Sequence, residues 1–334
     1  MGNAELDNIL KKRLIVMDGP MGTELERRGY DVKDRLWSAR MLDSAPEAIK
    51  RIHFDYFSAG ADIVTCASYQ GSTRGFMEAG YSAEDAEKLI RRSMDLVYEA
   101  RKAWWEGLPT EEGGAVLPEG RNSGRPYPLA AGDIGPYGAY LADGSEYTGS
   151  YRLSVKEYRD FHLPRIQILK DAGAELFAVE TMPKLDEALA CAEMLEEEGA
   201  RYWVSFTFLS EHRTCGGNSI EELAKELTEL PGLLAIGVNC SPPELVRGIV
   251  RRLKDLTDKD ICVYPNSGES YDGIKKTWGR GRGIQPFVSM AREWYIEGAR
   301  FIGGCCRTKP EDIKAIASWT DADLDRMQKI EYIR

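Results

Sequence analysis

Histidine is nearly missing from this chain: His53, His162 and His212 are the only three in 334 residues. None belongs to an HExxH pair or stands beside a serine elbow, which argues against the common zinc peptidases and histidine-based hydrolases. No GxGxxG or GK[ST] run occurs, so the usual glycine-rich phosphate cradles are absent too. Long apolar runs are also lacking; none nears the roughly 20 residues that span a bilayer, and the polar start MGNAELDNILKK has no secretion-signal core. Basic residues are outnumbered 44 to 54, giving a net charge of −10 and a pI near 5.1. Such a field repels phosphate backbones and anionic membranes. The expected setting is the cytoplasm, with small-molecule substrates and neither nucleic acid nor membrane as partner. Seven cysteines, an odd number, are too few for a disulfide scaffold and point to thiols or metal ligands.

What the sequence does contain is an end-to-end alternation of short apolar runs and longer amphipathic stretches. Strands are expected at Leu14 to Gly19, Asp62 to Ser68, Leu129 to Gly135, Leu176 to Thr181, Tyr202 to Phe208, Leu234 to Cys240, Ile261 to Asn266 and Phe301 to Cys306. Helices are expected over 46–59, 83–104, 154–172, 185–198, 220–229, 243–257 and 285–297, with an eighth from 310. Nearly continuous apolar strands require burial on both faces, as in a parallel sheet covered by helices. Eight βα units without a composition break fit a single (β/α)8 TIM barrel over residues 1–334 better than an open doubly wound sheet. Its active site would lie at the C-terminal ends of the strands. Glu106 to Pro128 carries five Gly and four Pro in 23 residues and reads as a loop on the opposite face.

Cys240 closes the sixth expected strand in GVNCSPP, and Cys305 with Cys306 closes the eighth in IGGCCRTKP. In a closed barrel these ends flank the seventh strand, so three thiols converge. Adjacent residues on a regular strand face opposite ways, so Cys305 and Cys306 share a metal only if the backbone bends, which Gly303 and Gly304 permit. Three soft ligands with an open fourth position describe a catalytic zinc site. Buried packing of small thiols and a vicinal Cys305–Cys306 disulfide stand beside it as alternatives. Glu180, in FAVETMP, places a carboxylate at the end of an otherwise apolar strand and needs a cation, either a substrate ammonium or an internal base. The DGPMGT run from Asp18 reads as a tight turn or a phosphate cradle, and the basic Lys275 to Arg282 run as a solvated loop or a carboxylate anchor. Tyr137, Tyr140 and Tyr147, with Asp143 and Glu146, fill the loop after the third strand and are candidates to face a cationic ligand.

Taken together, MDGPMGTELERRG, GADIVTCASYQ, GDIGPYGAYLADGSEYTG, VET, GVNC, YPNSGESYD and GGCCRT resemble the zinc-dependent homocysteine S-methyltransferases nearly end to end. The likeness is greatest to the stand-alone branch that uses S-methylmethionine or S-adenosylmethionine, and less to the betaine-dependent branch. No residues are left over for folate or cobalamin domains. The resemblance implies zinc on Cys240, Cys305 and Cys306, and homocysteine held at its amino-acid end by Glu180 and the Asp18–Gly19 turn. It also implies Asn266 in the fourth zinc position when substrate is absent. The implied reaction is transfer of a methyl group from a sulfonium donor to the homocysteine thiol, giving methionine; zinc ionises a thiol whose free pKa is about 8.5. Lys309 and Cys66 depart from the residues usual in the family at those places. The rival readings are a barrel of this kind fed by a corrinoid protein or methylfolate, and a non-catalytic zinc- or thiol-binding barrel.

Overall fold

The computed structural model describes residues 2–32, 35–107, 125–269, 271–272, 277–279 and 286–331. Eight parallel strands form the sheet: β1 (Ile15–Val16), β2 (Ile63–Thr65), β3 (Leu129–Ile134), β4 (Leu176–Met182), β5 (Tyr202–Phe206), β6 (Leu233–Asn239), β7 (Asp260–Tyr264) and β8 (Phe301–Ile302). Their order is β1-β8-β7-β6-β5-β4-β3-β2, and a parallel bridge from Met17 to Ile63 closes β1 onto β2. The expected barrel is what the chain forms. Several strands are shorter than the apolar runs suggested, because their C-terminal residues leave the ladder to build loops.

Eight helices cover the outside: α1 (Pro46–Ala59), α2 (Ala83–Glu106), α3 (Val155–Asp171), α4 (Leu185–Glu197), α5 (Ile220–Leu227), α6 (Pro243–Leu256), α7 (Phe287–Glu297) and α8 (Pro310–Ala317). Their starts follow local chemistry. Ser82 caps α2, and Ser154 with Glu157 and Ser219 with Glu222 form capping boxes on α3 and α5, satisfying backbone N–H groups that the first turn leaves free. None of the helices among the described residues is long and apolar enough to cross a membrane.

Two hydrophobic cores result. Strand residues pointing outward, such as Val16, Val64, Val179, Val204 and Ile236, pack under the helices. Residues pointing inward, among them Ile15, Ile63, Leu129, Leu176, Trp203 and Phe301, fill the barrel. The polar N-terminus, given no structure from the sequence pattern, is a helix over Gly2–Leu10 whose Leu6 and Ile9 join the inner core. Arg300 fixes the segment after it, donating from Nε to Lys12 O at 2.9 Å and also bonding Leu10 O. Most of the Gly/Pro-rich stretch, 108–124, and most of the basic 275–282 run lie outside the described residues.

Candidate active site

Cys240 immediately follows β6 and takes a left-handed backbone, φ 44°. Past β8 the chain turns: Gly304 N–H donates to Asp18 O at 3.0 Å, Cys305 N–H to Pro265 O at 2.9 Å, and Thr308 Oγ1 to Cys305 O at 2.8 Å. The bend expected at Cys305–Cys306 is therefore present, but its physical basis differs. Gly304 is needed for clearance rather than for a left-handed conformation, since an added Cβ would sit 2.1 Å from Thr308 Oγ1. The three Sγ atoms lie within 4.8 Å of one another. Cys240 and Cys306 are 3.9 Å apart, and Cys240 and Cys305 are joined as a disulfide between the β6 and β8 ends, not as the vicinal pair.

The donor set suits zinc once that bond is reduced. With Zn–S near 2.3 Å, tetrahedral geometry separates two sulfurs by about 3.8 Å, close to the 3.9 Å between Cys240 and Cys306. Burial pushes the Cys306 thiol up to about 12, so it keeps its proton unless a cation arrives. Asn266 is anchored by its N–H to Ser241 O at 3.1 Å, and its Oδ1 is buried without a hydrogen-bond partner. It stands outside the cavity lining, next to Ser267, whose N–H bonds Cys306 O at 3.0 Å.

Asp18, just past β1, Asp133 on β3 and Glu180 on β4 line the same cavity as the sulfurs. Glu180 owes its position to a bulge. The β4–β5 register shifts between Val179 and Met182, and Thr181 has φ 62°. Buried Asn239 holds that bulge: its Oδ1 accepts from Thr181 N–H (2.8 Å) and Ser205 Oγ (2.9 Å), and its Nδ2 donates to Thr181 Oγ1 (2.7 Å). Burial raises the Glu180 carboxyl from 4.5 to about 7 despite a hydrogen bond with Tyr264, whose hydroxyl also receives Trp203 Nε1–H at 2.8 Å. Asp18 accepts from Thr65 N–H at 2.8 Å and Thr65 Oγ1 at 3.1 Å. Burial first, with the Glu180 charge adding to it, pushes both Asp18 and Asp133 well above the carboxylate range. No lysine, arginine or histidine lines the cavity among the described residues. Glu180 thus has no internal base facing it there.

Gly19, Trp37, Tyr69 and Tyr147 complete much of the wall. Trp37, Thr181 and Cys240 are three of the five non-glycine residues with positive φ among the described residues, and a fourth, Arg307, follows Cys306. Strained backbone is thus concentrated at this cavity. Of the tyrosines expected to face a cationic ligand, only Tyr147 does line it. Tyr137 and Tyr140 pack on Phe161 with ring centroids at 4.9 and 5.2 Å, and Tyr140 Oη bonds Glu78 at 2.7 Å. Helix formation over Tyr137–Leu141 carries them away from the cavity. Asp143 accepts from Ser145 N–H at 2.9 Å and serves the loop. Several lining residues were not singled out from the sequence, among them Trp37, Tyr69, Tyr264 and Asp133 of GDIG; Cys66, noted there only as a departure from the family, also lines the cavity, its Sγ 3.1 Å from Ser68 Oγ.

A family model of homocysteine S-methyltransferases matches residues 15–320. The chain belongs to that family. It is 45% identical over 307 residues to the homocysteine S-methyltransferase YbgG of Bacillus subtilis (strain 168), covering 92% of this chain and 94% of that one. It is 42% identical over 310 residues to a selenocysteine methyltransferase of Astragalus bisulcatus, with 91% of each covered. Among solved structures, the metallated form of the homocysteine methyltransferase MmuM from Escherichia coli superposes with a TM-score of 0.80 at 38% identity, covering 95% of this chain and 98% of that one. The oxidised form of MmuM gives the same score and identity. Within a homocysteine S-methyltransferase, thiols and carboxylates lining one cavity are a meaningful arrangement, because homocysteine carries a thiol at one end and an ammonium at the other.

Proposed function

We propose that this protein transfers a methyl group from a sulfonium donor, S-methylmethionine or S-adenosylmethionine, to the thiol of homocysteine, yielding methionine. The observation that carries the reading is that one cavity is lined by three thiols, from the β6 and β8 ends, and by three carboxylates, from the β1, β3 and β4 ends, with no basic side chain among its described lining residues. Cys240, Cys305 and Cys306 would hold Zn²⁺, which supplies the positive charge that ionises the incoming thiol at neutral pH.

The remaining work falls to the protein's own groups. Glu180 and Asp18 accept the ammonium, and the Asp18–Gly19 turn lies beside them. Glu180 sheds its proton as that cation arrives, since an opposite charge favours the ionised carboxyl. Asn239 keeps Glu180 aimed by fixing Thr181. Asn266, outside the cavity lining but with an acceptor oxygen unpaired, would be the residue to hold the metal's remaining position before substrate. Trp37, Tyr69 and Tyr147 form an aromatic wall against which a methylsulfonium cation is attracted by ring quadrupoles and held in line with the sulfur. Alignment of the two reactants can supply roughly 7 to 11 kcal/mol of the barrier. Residues 1–334 act in this scheme as one homocysteine-binding unit in the cytoplasm, where thiols stay reduced.

The test is direct. Reduced, zinc-loaded protein is incubated with homocysteine and, separately, S-methylmethionine, S-adenosylmethionine, methylfolate and a methylcorrinoid. Methionine should form with a sulfonium donor alone. Formation only with methylfolate or the corrinoid would overturn the donor assignment, and no methionine with any donor would overturn the reaction.

A further inference from the structure

His162 takes no part in the scheme above, yet it is wholly buried between two charged side chains, Arg165 on the same helix α3 and Glu187 on α4, which are 1% and 0% exposed. His162 Nδ1 lies 2.8 Å from a terminal nitrogen of Arg165, and His162 Nε2 lies 2.8 Å from Glu187 Oε1. A guanidinium has donors only, so Nδ1 accepts; the ring proton is then on Nε2 and is donated to Glu187. Burial lowers the imidazole's pKa against the pull of Glu187, which keeps the ring neutral and the relay running in that sense. Buried charges joined in this way cost much desolvation and are a poor device for stability alone.

The relay holds two loops of the active-site face. Arg165 donates to Tyr69 O at 2.9 Å and Ser68 O at 3.3 Å, after β2, and to Gly135 O at 2.8 Å, after β3. Glu187 accepts from Tyr137 N–H at 2.5 Å and from the Tyr151 hydroxyl, toward the two ends of the β3 loop. The loops are also tied to each other: Gln70 Nε2 donates to Ala139 O at 2.8 Å, and a Cβ on Gly135 would stand 2.5 Å from Tyr69 O. Between them they deliver Tyr69 and Tyr147 to the cavity wall. The rest of the site hangs on other bonds, from Thr65 N–H to Asp18, from Thr181 N–H to Asn239, and from Cys240 N–H to Tyr264 O at 3.3 Å. We propose that His162 is a positioning residue: through Arg165 and Glu187 it fixes the β2 and β3 loops, and with them the place of the methyl donor, independently of the thiols and of homocysteine. This rests on the donor reading above.

The experiment compares wild type, His162→Phe and His162→Gln, each reduced and zinc-loaded. Phe keeps a ring and removes both bonds, whereas Gln restores an acceptor for Arg165 and a donor for Glu187. In histidine-labelled wild type, nitrogen NMR should find the His162 proton on Nε2; a proton on Nδ1 overturns the relay. At saturating homocysteine, kcat/KM for the sulfonium donor should fall about 10- to 100-fold in His162→Phe, the effect of a wall misplaced by about 1 Å. Zinc content and the homocysteine Kd should stay within about twofold of wild type, and His162→Gln should recover donor kcat/KM to within about fivefold. Should His162→Phe fail to fold, Tyr151→Phe, which removes one bond to Glu187, is read in the same way. An unchanged donor kcat/KM in the folded variant overturns the inference, as does a Gln variant no better than Phe. Equal loss of homocysteine affinity overturns it too, as the mark of a general structural role. If wild type accepts only methylfolate or a methylcorrinoid, the donor reading fails, and the same comparison with the working donor decides the role of His162.

Discussion

Replacing Glu180 by Gln should stabilise the metal-free, substrate-free protein, and do so increasingly as pH rises. The folded carboxyl titrates at about 7 because burial penalises its charge, whereas the ordinary value is 4.5. A raised folded pKa means that the native state binds the extra proton between those values. Stability is then full below 4.5 and is lost as pH climbs through 7. At ~1.4 kcal/mol per tenfold change in proton affinity, the loss relative to a neutral isostere is about 1 kcal/mol at pH 5 and about 3 kcal/mol at pH 8. With an unfolding entropy of roughly 2.1 cal/mol/K per residue, 3 kcal/mol is worth about 4 °C in Tm for a chain this long. The assay is differential scanning calorimetry of reduced, zinc-free wild type and Glu180→Gln at pH 5, 6, 7 and 8. The gap in Tm should open in favour of the variant across that series. A gap that is flat with pH, or in favour of wild type at pH 8, would refute the account of Glu180 as a carboxylate held without a cation.

The metal trio is tested by elemental analysis: wild type should carry about one zinc per chain, and Cys240→Ala, Cys305→Ala and Cys306→Ala should each lose occupancy and methyl transfer, while Cys191→Ala and Cys262→Ala retain both. Full zinc content in folded Cys240→Ala would return these cysteines to packing. Asn239→Ala removes three hydrogen bonds and strands the Thr181 N–H. It should cost about 2 to 4 kcal/mol in urea unfolding and raise the homocysteine KM through a misplaced Glu180. Gly237→Ala would put a Cβ 1.7 Å from the Cys262 carbonyl oxygen, its own ladder partner across β6 and β7. That backbone atom has nowhere to go, so a loss above about 4 kcal/mol, or failure to recover soluble protein, is expected.

The barrel was legible because its strands are buried on both faces and leave unbroken apolar runs, as in LLAIGV of β6. Their ends were less so. Phe301 to Cys306 reads as one strand, but regular pairing ends at Ile302: Gly303 N–H still donates to Val263 O at 3.0 Å, after which the chain turns, with Thr308 N–H bonding back to Cys305 O. Cys240, Cys305, Cys306 and Glu180 were found because each is a chemically costly residue at the end of such a run. Asp133 was passed over because it lies inside the expected Leu129 to Gly135 strand rather than closing it. Tyr137 and Tyr140 were misjudged for the opposite reason: a loop's composition names its residues without saying which way a short helix will face them. The helix over Gly2–Leu10 was invisible because its two core residues, Leu6 and Ile9, make no run at all.

That N-terminal helix sets a schedule for folding. Leu6 and Ile9 have their places beside Phe301, and Lys12 meets Arg300, nearly 300 residues later in the chain. That helix, synthesised well before β8, therefore waits, its apolar side uncovered, until the last strand emerges. At roughly 5 to 20 residues per second, that interval is between about 15 and 60 seconds during which the barrel floor is open and β1 has no β8 to pair with. The region most exposed to capture by chaperones, or to aggregation at high expression, is then the floor of the barrel, at the end remote from the chemistry.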